Sequence, residues 1–89
     1  MINMIPTIDG YELEKAVNLQ FGTNIELFPL LFGENYSDGI YKSFDFSKEE
    51  KFYGYRWENE EDIRLRNLVR AYLKDILPNH NEVLINIYW

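Results

Sequence analysis

Eighty-nine residues carry fifteen acidic and nine basic side chains, for a formal net charge of −6, and no cysteine. That length supports one domain over residues 1–89 and excludes separate cofactor and substrate lobes. The missing cysteines exclude a disulfide framework, a thiolate zinc site and a cysteine nucleophile, and they fit a reducing, cytoplasmic setting. Aliphatic and aromatic residues make up 46% of the chain, enough apolar material for one modest core. No basic, apolar, cleavable pattern opens the chain, so no secretory signal is expected. The run Leu27–Phe32 is interrupted by Pro29 and is far too short to span a bilayer.

In chain order, Asp9 is placed to cap a first helix, with Glu12 at capping-box spacing. Leu13, Ala16, Val17 and Phe21 recur at helical intervals, and Gly22 stands where a left-handed C-terminal residue is wanted. A shorter segment follows through Phe32; Pro29 would cost it a hydrogen bond unless the helix starts late. Gly33 closes it, and residues 34–39 are rich in turn formers.

Residues 40–46 alternate, with Ile40, Phe44 and Phe46 on one side and Tyr41, Ser43 and Asp45 on the other. Residues 51–57 alternate again, and the four polar residues between predict an antiparallel hairpin. Seven aromatics lie in residues 40–57. Phe44, Phe46 and Phe52 are expected in the core, since their rings carry no hydroxyl needing a partner. Tyr41, Tyr53, Tyr55 and Trp57 fall on the opposite side, either exposed as interface anchors or covered by a second helix. Asn59 can cap a long helix to residue 77, with Leu65, Leu68, Val69, Tyr72, Leu73 and Ile76 as its apolar stripe. Residues 82–89 make a last strand, with Val83, Ile85, Ile87 and Trp89 on one face. The expected fold class is α+β: a small antiparallel or mixed three-stranded sheet, helices mainly on one face, in the order α–(α)–β–β–α–β.

Charge is unevenly spread. Residues 1–50 hold nine acids (Asp9, Glu12, Glu14, Glu26, Glu34, Asp38, Asp45, Glu49 and Glu50) against three bases, which accounts for the whole net charge. In the second half, Glu58, Glu60, Glu61 and Asp62 crowd the start of the long helix and Arg66, Arg70 and Lys74 its later turns. This arrangement complements the helix macrodipole; no EF-hand spacing supports a cation site instead. No basic stripe is long enough for direct nucleic-acid binding, and the acidity favours a basic partner.

Nothing in the pattern specifies catalysis. His80 lies between asparagines in a turn, no serine has a nucleophile-elbow context, and no phosphate loop, dinucleotide fingerprint or zinc-protease helix occurs. The stretch Pro29-Leu30-Leu31-Phe32-Gly33-Glu34-Asn35 resembles the Pro, aromatic, Gly-Glu-Asn segment of barstar-type nuclease inhibitors, which are small acidic α/β proteins. In that family the segment lies beside the acidic surface that fills a nuclease active site. This chain departs from the pattern after Asn35, where Ser37-Asp38-Gly39 reads as a turn, so no binding residue is carried across. Its size, acidity and Tyr/Asn/Ile-rich composition are also similar to small phage-encoded inhibitors, anti-CRISPR proteins among them.

The leading expectation is a non-enzymatic inhibitor or regulator of a basic protein, such as a nucleic-acid enzyme. Glu34, Asp38, Asp45, Glu49 and Glu50 would take the place of phosphates, and Tyr41, Tyr53 and Tyr55 would supply apolar contact. No cofactor, metal, membrane or direct nucleic-acid partner is expected. The alternative is an assembly module that self-associates through the aromatic hairpin or the strand ending at Trp89, possible as a homodimer. A third reading, a hydrolase holding a metal between Glu49, Glu50, Glu58, Glu60, Glu61 and Asp62, has only its carboxylates to recommend it.

Overall fold

A computed structural model describes residues 4–33 and 40–87. It shows a small α+β domain with a mixed three-stranded sheet and three helices, the class expected. The elements in chain order are β1 (Thr7–Asp9), α1 (Gly10–Phe21), α2 (Leu27–Phe32), β2 (Ile40–Asp45), α3 (Glu60–Ile76) and β3 (Glu82–Ile87). The sheet order is β1-β3-β2, with β1 parallel and β2 antiparallel to β3.

Local chemistry sets most boundaries. The Asp9 carboxylate accepts the backbone N–H groups of Tyr11 and Glu12, satisfying two donors that the start of α1 would otherwise leave open. Gly22 ends α1 in the left-handed region at φ 64°, where a side chain would be strained. Asn18 then fixes the turn toward α2. Its amide oxygen accepts from the Thr23 hydroxyl and the Ile25 N–H, and its NH₂ donates to the Ile25 carbonyl. With α2 starting at Leu27, Pro29 falls in the first turn, where its missing N–H costs no intrahelical bond. Asn59 caps α3 by accepting from the Asp62 N–H.

One sheet face carries the core. Val83 and Ile85 of β3 and Phe44 of β2, with Phe46 just beyond, pack against Leu13 and Val17 of α1, Leu27 and Phe28 of α2, and Val69 and Leu73 of α3. The other face, bearing Tyr41, Ser43 and Asp45, is open to solvent. The alternation expected here is therefore correct over residues 41–46; the Ile40 side chain lies outside what is described.

The expected hairpin is not formed. Residues 51–57 make no strand, and the third strand is Thr7–Asp9. Gly54 at φ 84° breaks the extended run, and the Tyr53 and Tyr55 amides donate to the Glu58 carboxylate, not to a ladder. Phe52, expected in the core, is 45% exposed for the same reason. Strand β3 is central, with β1 on one side and β2 on the other, so the free edge expected of the last strand does not exist. Trp89 and the Ile87 side chain lie outside the described residues.

Candidate functional site

The 46–59 connection leaves the sheet and is tied down twice. At its middle, Asn67 of α3 holds the Glu50 backbone from both sides: its Oδ1 accepts the Glu50 N–H at 3.0 Å and its Nδ2 donates to the Glu50 carbonyl at 2.9 Å. The Glu50 carboxylate receives Arg66 Nε at 2.6 Å and Nη2 at 2.9 Å, and Arg70 Nη1 at 2.6 Å. Arg70 is buried and its guanidinium lies over the Phe44 ring, 5.0 Å from the centroid. Hydrogen bonding from Arg66, followed by that from Arg70, holds the Glu50 carboxyl below the usual glutamate range, against an opposing contribution from burial. Glu50 was expected on the partner-facing surface; both of its oxygens are instead spent inside the domain. Arg66 and Arg70, read as macrodipole cations, are its ligands.

At its far end the connection is pinned by Glu58. One oxygen of its carboxylate accepts the Tyr53 N–H at 3.1 Å and the Tyr55 N–H at 2.8 Å. The Glu58 N–H donates to the Tyr55 carbonyl. This grip fans three rings out along one row. Tyr55 and Trp57 stack with centroids 4.6 Å apart and planes 4° from parallel, and Tyr53 follows at 6.0 Å from Tyr55. Tyr53 is 67% exposed, Tyr55 53% and Trp57 79%. Beneath the row an open cleft of about 460 Å³ runs to the first turns of α3, lined by Tyr53, Trp57, Glu58, Asp62, Ile63 and Arg66 among others. If Glu58 fixes the row, Glu58→Ala should raise hydrogen-exchange rates of the Tyr53 and Tyr55 amides by at least about tenfold while α3 amides keep their protection. Unchanged exchange at those two amides would show that another contact holds the loop.

A second exposed group lies on the open sheet face. Tyr41 and Asp45 share that face on β2, about 13 Å apart at the rise of a strand. Asp45 sits directly opposite Glu82 in the register, a like-charge pair that costs the sheet stability. Each carboxylate has local donors. Glu82 accepts from the Ser43 hydroxyl at 2.8 Å, and Asp45 accepts the Ser47 hydroxyl at 2.6 Å and the Ser47 N–H at 2.7 Å. The Ser47 hydroxyl, then its N–H, hold the Asp45 carboxyl below the usual aspartate range and keep it ionised.

Of the expected partner-facing residues, Tyr41, Asp45, Glu49, Tyr53 and Tyr55 are exposed; Glu34 and Asp38 lie outside the described residues. The structure joins Tyr53 to Tyr55, and Asp45 to Glu82; Glu50 lines the cleft beneath the aromatic row, with its carboxylate turned to Arg66 and Arg70. Sequence reading missed three contributors: Trp57 as a stacked ring, Glu58 as the clamp, and Glu82 as the mate of Asp45. Trp57 was legible as an outward aromatic; Glu58 lies three and five residues from the amides it accepts but was hidden by the strand-like alternation, and Glu82 depends on pairing between distant segments. Among the described residues no group of three or more His, Asp or Glu side chains is gathered to hold a metal ion, and no helix is long and apolar enough to cross a membrane. No protein-family model matches the chain, and no curated protein or solved structure is similar to it at a meaningful level.

Proposed function

We propose that this domain binds and inhibits or regulates a basic nucleic-acid-binding protein and carries out no reaction of its own. The observation that carries the reading is the Tyr53–Tyr55–Trp57 row: three large rings held in solvent by a dedicated carboxylate clamp. Exposed apolar area of this kind is costly in solubility unless it is used, and Tyr and Trp are the side chains that anchor protein interfaces. Such rings bring large contact area with few rotamers to freeze, and the clamp lowers the ordering cost further. Asp45, Glu49 and Glu82 supply carboxylates that can stand where phosphates would, while the net charge of −6 speeds encounter with a cationic groove. A nuclease, whether of the CRISPR or the toxin kind, is a partner of the right chemistry.

The test is capture from a lysate on immobilised domain, elution by a salt gradient, and competition by nucleic acid. The expected result is a basic nucleic-acid-binding protein that nucleic acid displaces and that elutes as salt rises. Tyr55→Ala should weaken the isolated complex by roughly tenfold to a hundredfold, as for an interface hot spot. Asp45→Asn with Glu49→Gln should mainly slow association and flatten the salt dependence. A complex indifferent to salt, or one that keeps its affinity without the Tyr55 ring, would sink the reading.

A further inference from the structure

The outer edge of β2 has a hydrogen-bonding pattern that can be worked out residue by residue. The Phe46 N–H donates to the Asn81 carbonyl at 3.0 Å, and the register continues from there as Asp45 opposite Glu82 and Phe44 opposite Val83. In an antiparallel pair, positions whose N–H and C=O face the neighbour alternate with positions whose groups face away. Phe46, Phe44 and Lys42 therefore turn their backbone groups toward β3, and Tyr41, Ser43 and Asp45 turn theirs outward. The opposite parity on β3 agrees with this assignment, since the Leu84 N–H donates to Pro6 on the β1 side. Strand β2 ends the sheet, contains no proline or bulge, and has no other strand beside it among the described residues. Its backbone groups are open to pairing with another chain, and Lys42, at the same parity as Phe44, is the strand's one cation guarding that edge.

We propose that this edge pairs antiparallel with the same edge of a second copy, about a two-fold axis at Ser43. The occupant follows from pairing arithmetic. An axis at Ser43 sets Ser43 against its own counterpart and Tyr41 against Asp45 of the second copy, twice over, so every outward N–H and C=O of the strand finds a partner. Moving the axis to Lys42 leaves Asp45 unused and opposes two ammonium groups. Moving it to Asp45 opposes two carboxylates, which destabilises a sheet. With the axis at Ser43, each Tyr41 hydroxyl faces a carboxylate it can donate to, and each Lys42 lies across from a Phe44. The product is a closed, isologous dimer with one continuous six-stranded sheet. Two copies of −6 repel, so this dimer should tighten as salt rises, the reverse of the behaviour of a complex with a basic partner.

Sedimentation equilibrium of the full chain at ~0.05 M and ~0.5 M salt tests the proposal. The expected result is a monomer–dimer equilibrium that shifts toward dimer at the higher salt. Ser43→Pro removes the outward N–H, which edge strands tolerate, and the hydroxyl bond to Glu82; compared with Ser43→Ala, which removes only the hydroxyl, it should weaken the dimer by at least about tenfold while circular dichroism is unchanged. The exposed Tyr41 gives a second, independent series that leaves the backbone alone. Tyr41→Lys, opposite the second copy's Asp45, should tighten the dimer, and Tyr41→Asp should loosen it. A chain that is monomeric up to ~0.5 mM at both salts, a dimer that ignores the sign of the charge at position 41, or assembly beyond the dimer overturns the proposal.

Discussion

Truncating Glu50 to alanine should destabilise the domain by about 2–3 kcal/mol at neutral pH, the largest loss expected from any exposed or half-exposed side chain here. Removing one partner of a fully buried ion pair costs about 3–5 kcal/mol, because the other charge is left without compensation. The Glu50 carboxylate is 32% exposed, so solvent screens part of that cost; Arg70, at 11%, is screened far less. Arg70 Nε already has no acceptor, so losing Glu50 would leave the buried guanidinium with only the side-chain Oδ1 of Asn67 and the Phe44 face. Urea unfolding measures the loss. Glu61→Ala is the control: its pair with Arg64 lies in solvent, and the transition midpoint should not move. Glu50→Leu combined with Arg70→Met should recover much of the loss, since the cost comes from the stranded charge and not from the missing pair.

The same clamp sets an acid limb. Because the Glu50 carboxyl titrates below its unfolded value, its contribution is complete above the usual glutamate range and disappears as pH falls through the lowered, folded value. The wild-type chain should therefore lose stability on acidification more steeply than Glu50→Ala. Parallel acid limbs would mean that the Arg66 and Arg70 bonds do not form in solution. The loop carrying Tyr53, Tyr55 and Trp57 keeps its Asn67 and Glu58 ties in Glu50→Ala, so the aromatic row should survive that change.

How much of this was legible depends on whether the signal is local. Asp9, Gly22, Pro29 and Asn59 act on their own neighbours, and the caps and helix limits they set could be read directly. The 3.6-residue stripe of α3, apart from the exposed Ile76 in its last turn, and the two-residue alternation of residues 41–46 likewise report their own burial. Residues 51–57 alternate too, but alternation cannot tell a strand from a loop whose amides are satisfied by a side chain, and Glu58 supplies that side chain. Strand β1 is three residues long, too short for any periodicity to mark it; it exists because β3 offers an edge. Misplacing that one strand moved β3 from the centre of the sheet to an edge and hid the Asp45–Glu82 pairing. The Glu50 clamp was invisible for a similar reason, since its ligands lie sixteen and twenty positions away on α3. Tyr41, Tyr53 and Tyr55 are exposed, one of the two placements the alternation left open for them, whereas ring chemistry misplaced Phe52.

Gly10→Ala should destabilise the domain by about 2–3 kcal/mol, although the same change at an unhindered helix position gains up to about 1 kcal/mol. Gly10 is the first residue of α1, directly after β1, and is buried. A Cβ there would sit 2.3 Å from Phe28 Cε1, 2.6 Å from Phe28 Cζ and 2.9 Å from the Asn86 carbonyl oxygen. The carbonyl belongs to the central strand and cannot move without shifting the sheet. The Phe28 ring is buried and packed edge-on against Tyr11, with centroids 5.0 Å apart, so it cannot swing aside cheaply. The glycine is needed for close approach, and not for its φ, which is not positive. For a chain of this size the loss should lower the melting temperature by roughly 10–20 °C. Phe28→Leu removes the ring that the new methyl meets, and in that background Gly10→Ala should cost at least about 1 kcal/mol less, a coupling that a double-mutant cycle reads directly. Gly22→Ala, where nothing lies within 4 Å but φ is positive, isolates the backbone effect at about 1 kcal/mol. A Gly10→Ala variant as stable as the parent would mean that α1 does not lie against β3 and α2 as closely as the structure places it.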